Sequence, residues 1–432
     1  MVYNKADYDV SILGAGLSAV YGAFKLKSNT TCLVYSENNL GGILKGEKWN
    51  SFYVDNGCHL FDGNEENFEF YETVGGMKAH SVKYGSVNTG KFTNQIATPE
   101  INDDKLSTAA YDELIDLKFS EKENISLQNL KEVFYHRYGQ IGGSYLSKVQ
   151  RKFTGMNSEL INSSEFKKFS VFHRLRIGDD EMSNTLKKNN AYLDEIICSS
   201  LGSRGLDKYQ KSMYPKKLGT TGFVHNSEKF LKDNNFALIS NYRVEKIIKK
   251  NNHYEIIDNQ GSKFTTKYIL STLPQTLLQK LLGHQTKPPP NFISYKIVLI
   301  EIEAENVSDI YYVQDFDIDD VTYRGSNMGY YSNQYSENGT TFVTAEIPYS
   351  MEEIEIDIES IKLELIKQNI LVKDCKIIDY KIIDKKNIIP INNEIQELEL
   401  PENIYSLLPT SFSMKSKLED IDKICLSLTN EI

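Results

Sequence analysis

Apolar positions near the amino terminus follow a pattern that defines the first elements. Val10, Ile12 and Leu13 make a short strand-like run that ends at Gly14-Ala15-Gly16-Leu17-Ser18-Ala19, and residues 18–27 continue with helix-compatible Ala, Val, Tyr, Phe and Leu. A second apolar run, Cys32-Leu33-Val34-Tyr35, completes a predicted strand–helix–strand unit. Residues 62–125 are polar and dotted with Gly and Asn, and read as a loop-rich entry to a second unit. From Ser126 the pattern turns helical, with Leu127, Leu130, Val133, Phe134 and Tyr138 three to four residues apart. Residues 239–248, 253–257 and the run closing at Pro274 predict a three-strand meander, with a turn at Asp258-Asn259-Gln260-Gly261. Ile297 to Ile300 is continuously apolar before Glu301, Ile302 and Glu303 alternate, which predicts a strand buried on both faces at its start and on one face at its end. Residues 351–360 alternate too, but Ser350 with Glu353 makes a capping box, so a helix start is predicted there. A short strand at 403–410 and a helix opening at 411–416 end the chain.

At 432 residues the chain is long enough for two or three units. Its 40% hydrophobic and 25% charged content excludes disorder. No apolar run reaches the roughly 18–20 residues that cross a bilayer, and the strand-like segment begins too early for a signal peptide. A cytoplasmic protein is expected. A net charge of −10 argues against a nucleic-acid or anionic-membrane partner. Only seven basic residues are Arg, at 137, 151, 174, 176, 204, 243 and 324. The excess of Lys, Ile and Asn reads as the AT-rich coding bias of a bacterium, so an Arg that persists is a better site candidate than a Lys. Cysteines 32, 58, 198, 375 and 425 are scattered without a CxxC pair or a His at metal spacing, which predicts reduced thiols and no metal site.

The chemistry concentrates in Gly14-x-Gly16-x-x-Ala19. Gly14 permits a tight turn, Gly16 lets backbone approach a pyrophosphate, and Ala19 lets the helix pack on the strand. The helix amino terminus, including Leu17 and Ser18, offers free N–H groups to phosphates. Glu37, 23 residues after Gly14, is near the spacing of an acid that accepts hydrogen bonds from an adenosine ribose, and Ser36 is the alternative. Next come Leu40-Gly41-Gly42-Ile43 and Tyr53-Val54-Asp55-Asn56-Gly57-Cys58-His59-Leu60-Phe61.

With these four elements in order, the sequence resembles the FAD-dependent amine oxidase-like superfamily, which includes protoporphyrinogen oxidases, phytoene desaturases and UDP-galactopyranose mutases. The resemblance implies an α/β fold: a Rossmann-like FAD-binding domain of parallel sheet plus β-meander, with an inserted α+β substrate domain. It places Gly41, Gly42 and Ile43 along the flavin phosphates or ribityl chain and Asp55 to His59 near the ring, with His59 the catalytic candidate. Ile43 stands where amine oxidases commonly carry Arg, and the Gly57-x-His59 spacing is closer to the mutase and protoporphyrinogen branches. Phe134 to Gly139 resembles a helix end of the substrate domain, with Arg137 and Arg151 as scaffold. The Tyr214-Pro215 turn resembles the segment before the chain's return to the FAD domain. Val244 would read the adenine through its backbone, and Thr272 and Leu273, in the Ser271-Thr-Leu-Pro274 stretch, would lie beneath the dinucleotide. The last helix would bring Met414 and Lys415 to the flavin, although the usual glycines of that motif are missing.

The implied domain order is FAD-binding at 1–75, helical substrate domain at 76–212, FAD-binding at 213–285, substrate sheet at 286–380 and FAD-binding at 381–432. Arg174 and Arg176, one residue apart, would point the same way on a strand, either as a solvated surface pair or as a clamp for a diphosphate. Tyr214, Arg324 and Tyr330 are further candidates for a small-molecule substrate. Three functions follow as expectations. The first is FAD-dependent oxidation by hydride transfer. The second is a redox-neutral mutase reaction on a nucleotide sugar, in surface polysaccharide synthesis, and the third is a non-catalytic flavin-fold binding subunit.

Overall fold

A computed structural model describes residues 7–26, 30–57, 59–78, 82–119, 126–199, 212–286, 291–350, 354–372, 375–392, 400–407 and 414–431. The chain divides into two units, Met1–His80 with Ser212–Pro288 and Glu394–Ile432, and Ser81–Lys211 with Pro289–Asn393. No described helix is long and apolar enough to cross a membrane. The capping glutamate expected at 353, the proline run at 288–290 and the start of the last helix at 411–413 lie outside the described residues.

In the first unit one sheet runs Ala237–Ile239, Thr31–Val34, Tyr8–Leu13, Lys263–Ser271, Tyr254–Asp258, Val244–Lys249. The first four strands are parallel, and the last three form the antiparallel meander. Strand Lys263–Ser271 serves both halves. Its first residues pair with Tyr254–Asp258, and then Ile269 to Ser271 exchange that neighbour for the parallel strand Ile404–Ser406. Burial follows this change, sparse at Lys263 and complete from Ile269 to Ser271, because a parallel strand covered on both faces tolerates no polar alternation. The meander begins later than predicted. Ala237–Ile239 is a separate parallel strand, and Asn241, at φ 55°, turns the chain into Val244–Lys249.

Two helices cover one region of this core. Leu17–Leu26 follows the glycine turn, and Met414–Glu431 packs on it where Gly22 leaves no room for a side chain: an added Cβ would lie 2.9 Å from Leu270 Cδ2 and 3.8 Å from Ile421 Cγ2. Cβ points toward a helix amino terminus and the carbonyl toward its carboxyl terminus. The carbonyl of Gly22 meets Cys425 Sγ at 4.0 Å, so the two helices run in the same direction. Tyr21 seals the crossing by donating to Asp422 Oδ1 at 2.7 Å.

The second unit holds a sheet ordered Asp379–Ile391, Asn291–Glu303, Thr340–Tyr349, Arg324–Ser326, Tyr312–Asp315, Tyr84–Asn88, Lys91–Asn94. The predicted strand around Ile297 is there, with Ile297 to Ile300 buried and Glu303 exposed. Asp379–Ile391 pairs with it, so the stretch 381–391, grouped by sequence with the FAD-binding segments, belongs to the sheet of this unit. One apolar core joins Val298, Ile300 and Val343 to Ile361 and Leu365, and another surrounds Leu130–Thr154.

Two local expectations fail. The described residues of the stretch 62–125 are not loop-rich: they contain helices Glu65–Gly75 and Asp104–Phe119 and a hairpin, Tyr84–Asn88 with Lys91–Asn94. Asn64 starts the first of these helices by accepting from Asn67 N, a cap concealed in a polar run. The helix expected at Ser350 begins at Ile358 under an Asp357 cap. Upstream, Ile354 and Ile356 pack on the core from non-helical chain, so the alternation outweighs the capping signal.

A buried ion pair fixes the middle of the second sheet. Arg324 Nε and Nη2 donate to Glu346 Oε1 and Oε2 at 2.9 and 2.7 Å, directly across the strands. Glu346→Ala leaves the guanidinium without its counter-charge and is expected to cost about 3–5 kcal/mol in urea unfolding. The double variant Arg324→Met/Glu346→Leu should recover most of that loss, and equal losses in both would contradict this account.

Candidate functional site

Two glycine loops meet at the end of the parallel sheet. Gly14 takes φ 139°, and its N–H bonds Val34 O at 3.0 Å. Thr272 anchors the same point, its N and Oγ1 both donating to Leu13 O at 2.9 and 3.1 Å, and a Cβ on Gly14 would collide with that hydroxyl. Leu273 follows, its N–H on Ser271 Oγ. The second loop docks through Gly41 N–H on Ala15 O at 2.7 Å. With Gly41 at φ 126° and Gly42 at φ 54°, a Cβ on Gly42 would lie 3.2 Å from Gly16 Cα. The loops touch backbone to backbone.

Beyond Gly16 the picture reverses: an added Cβ would meet nothing within 4 Å. Leu17 and Ser18 open the helix there, and their N–H groups have no carbonyl of their own helix to bond. This is an open cradle edged by N–H donors and the positive end of a helix dipole, suited to an anion. Glu37 is exposed at the end of the second strand with Oε2 3.1 Å from Lys45 Nζ, which leaves Oε1 to accept. Ser36 is exposed beside it. Val244 opens the meander opposite Asp258, half-buried. Ile43 is 54% exposed, an apolar side chain held out from the second loop.

The segment after that loop is a clamp. Asp55 is buried, accepts from Thr220 N at 3.0 Å and from the Tyr214 hydroxyl, and so caps the helix Gly219–Asp233. Gly219, at φ 52°, has no space for a side chain beside the Asp55 carboxylate. Thr220 Oγ1 donates to Leu44 O at 2.7 Å, and Asn56 Nδ2 to Lys45 O at 2.6 Å and Ile43 O at 3.3 Å. His59 Nε2 lies 3.2 Å from Asn56 O, a tie that orients the half-buried ring. Asp55 is thus a structural acid, and Tyr214, buried on it, is not available to a substrate. Asn56 and Thr220 escaped sequence reasoning; the signal for Thr220 was its place after the Leu218-Gly219 turn.

Met414 and Lys415 occupy the first turn of the last helix, Met414 packing on the core and Lys415 Nζ 4.0 Å from Glu419. The substrate candidates of the second unit are dispersed. Arg176 is on a small sheet and pairs with Glu100 and Asp180 at 3.2 and 3.3 Å. Arg174 precedes that strand, Leu175–Ile177, so the two-armed diphosphate clamp does not form. Arg324 is committed to Glu346. Tyr330, 41% exposed in the short helix Met328–Tyr331, remains accessible.

No family model and no curated protein matches the chain. Solved structures do. A reduced UDP-galactopyranose mutase matches with TM-score 0.69 at 14% identity, over 98% of this chain and 96% of that one. Putrescine oxidase bound to putrescine matches at 0.61 and 12%, over 98% and 99%. The chain has the amine oxidase-like flavoprotein fold. A CLA-producing fatty acid isomerase from P. acnes shares it at 0.55 and 10%, over 99% of both chains. A mutase, an oxidase and an isomerase on one amine oxidase-like fold mean that the fold alone does not choose the reaction.

Within this fold the Asp55 clamp carries a titratable charge. Burial raises its carboxyl from 3.8 to about 6, against the lowering pull of the Tyr214 and Thr220 hydrogen bonds. A folded value above the unfolded one favours the protonated form, so this contribution is complete below the unfolded value and is lost as pH rises through about 6. Asp55→Asn can accept from Thr220 N–H and donate to the Tyr214 hydroxyl without titrating. The stability of the wild type relative to this variant is expected to fall by about 3 kcal/mol between acid and neutral pH. Parallel pH profiles in urea unfolding would show that Asp55 is not the group responsible.

Proposed function

We propose that the protein is a flavoprotein enzyme that binds FAD at the paired glycine loops and oxidises a small molecule by hydride transfer. The observation that carries the reading is the contrast at Gly16: backbone against backbone toward Gly42, open space on the other side.

Bound FAD supplies the two-electron chemistry, and the protein binds and orients. Gly14, Ala15 and Gly16, with the N–H groups of Leu17 and Ser18, would hold the diphosphate, and Glu37 Oε1 would accept from the adenosine ribose. Val244 would present backbone to the adenine, with Thr272 and Leu273 keeping the first turn in place. Gly41, Gly42 and the exposed Ile43 would line the ribityl chain, Met414 and Lys415 would meet the far end of the ring, and His59 would shape the ring's surroundings. Arg174 and Tyr330 remain candidates for substrate contact, whereas Arg176, Arg324 and Tyr214 are held by acids of their own units.

Purified protein is expected to show visible flavin absorbance that dithionite bleaches. Because a Cβ at Gly16 meets no protein atom within 4 Å, Gly16→Ala should keep the melting temperature and far-UV spectrum while FAD affinity falls at least about 100-fold, the loss of several phosphate hydrogen bonds. A colourless wild type that stays colourless with added FAD contradicts the reading. Turnover of a UDP-sugar by the reduced protein with no net electron consumption would replace oxidation by a mutase reaction.

A further inference from the structure

Resting on the FAD reading above, we propose that Lys417 is the charge anchor of this site, its ammonium group pairing with the cofactor's diphosphate beside the glycine turn. The argument begins with the helix crossing. Ile421 and Cys425 face Gly22, and Lys417, four residues before Ile421, continues the same stripe of the last helix. The two helices run in parallel, so one turn back from Ile421 corresponds to one turn back from Gly22, about 6 Å along the axis. That is the level of Ser18, at the mouth of the glycine turn.

The charges around the turn single out the same residue. Lys25 pairs with Glu66 and Asp422, Lys45 with Glu37, Lys415 with Glu419 and Lys423 with Asp420. Among the described lysines of the glycine-turn helix, the second glycine loop and the last helix, Lys417 alone has no carboxylate partner. It is half-buried, and burial lowers its ammonium below the ordinary lysine value. It also stands in the first turn of a helix, where the dipole disfavours a cation. A half-buried, unpaired cation in that position is costly to the empty protein. A diphosphate provides the missing counter-charge, and the paired loops bring none of their own, since Gly41 to Leu44 are uncharged and Lys45 is engaged.

The test compares wild type, Lys417→Met and Lys417→Arg by calorimetric titration of the apoproteins with FAD at low and high salt, and by thermal melting without ligand. Lys417→Met is expected to weaken FAD binding about 10- to 100-fold, the loss of a charge-assisted hydrogen bond, and to flatten its salt dependence, while Lys417→Arg stays close to wild type. Without ligand, Lys417→Met should melt higher than wild type, because an unpaired charge is gone. A purely structural lysine predicts the opposite order of melting. Unchanged FAD affinity and salt dependence in Lys417→Met overturn the anchor while the FAD reading stands. If the wild type itself takes up no FAD, that reading fails, and the anchor with it.

Discussion

Two backbones meeting with no side chain between them set the geometry of the first unit. The Gly41–Ala15 hydrogen bond and the contact of Gly42 with Gly16 hold only if the second loop carries no Cβ at Gly41 and Gly42. The surrounding sequence serves this contact. Thr272 pins the first loop from the neighbouring strand, and Asn56 and Thr220 bond the carbonyls of Ile43, Leu44 and Lys45 in the second. Asp55, shared between Tyr214 and the start of Gly219–Asp233, ties those supports together. The desolvation that raises its carboxyl is the cost of placing a charged cap under an otherwise apolar core.

Charge in the second unit is spent internally. In so Arg-poor a chain, Arg137, Arg176 and Arg324 all have acid partners: Glu195; Glu100 and Asp180; and Glu346. At Arg324 the planar fork gives both oxygens of the buried Glu346 carboxylate a donor, which a lysine could not do. The expectation that a surviving Arg marks a ligand site is therefore reversed for Arg176 and Arg324, while Arg137 was expected as scaffold. Lys417 is the converse case, a common residue made informative by the partner it lacks.

The sequence revealed most where one residue type has one physical use. The glycine turn, the parallel strands and the meander could be read because a left-handed turn and double-sided burial leave few alternatives. The amine oxidase-like fold followed from their order. The helix at Glu65–Gly75 was concealed because its cap is an Asn in a polar run and its apolar face is a few aromatics. The start of Ile358–Lys367 was misplaced because Ile354 and Ile356 serve the core from non-helical chain, which a capping signal does not register. The tie between Asp55 and Tyr214 was not legible for a further reason: the motif identifies the segment, but only the helix that arrives 165 residues later shows what the acid caps.

Hydrogen–deuterium exchange with and without FAD tests the central claim most directly. Leu17 and Ser18 N–H groups lack helical partners and should exchange rapidly in the empty protein. Added FAD is predicted to slow exchange in peptides covering Gly14 to Ala19 and Leu40 to Leu44. Saturating FAD that leaves both segments unprotected, or protects only segments elsewhere, would contradict the account.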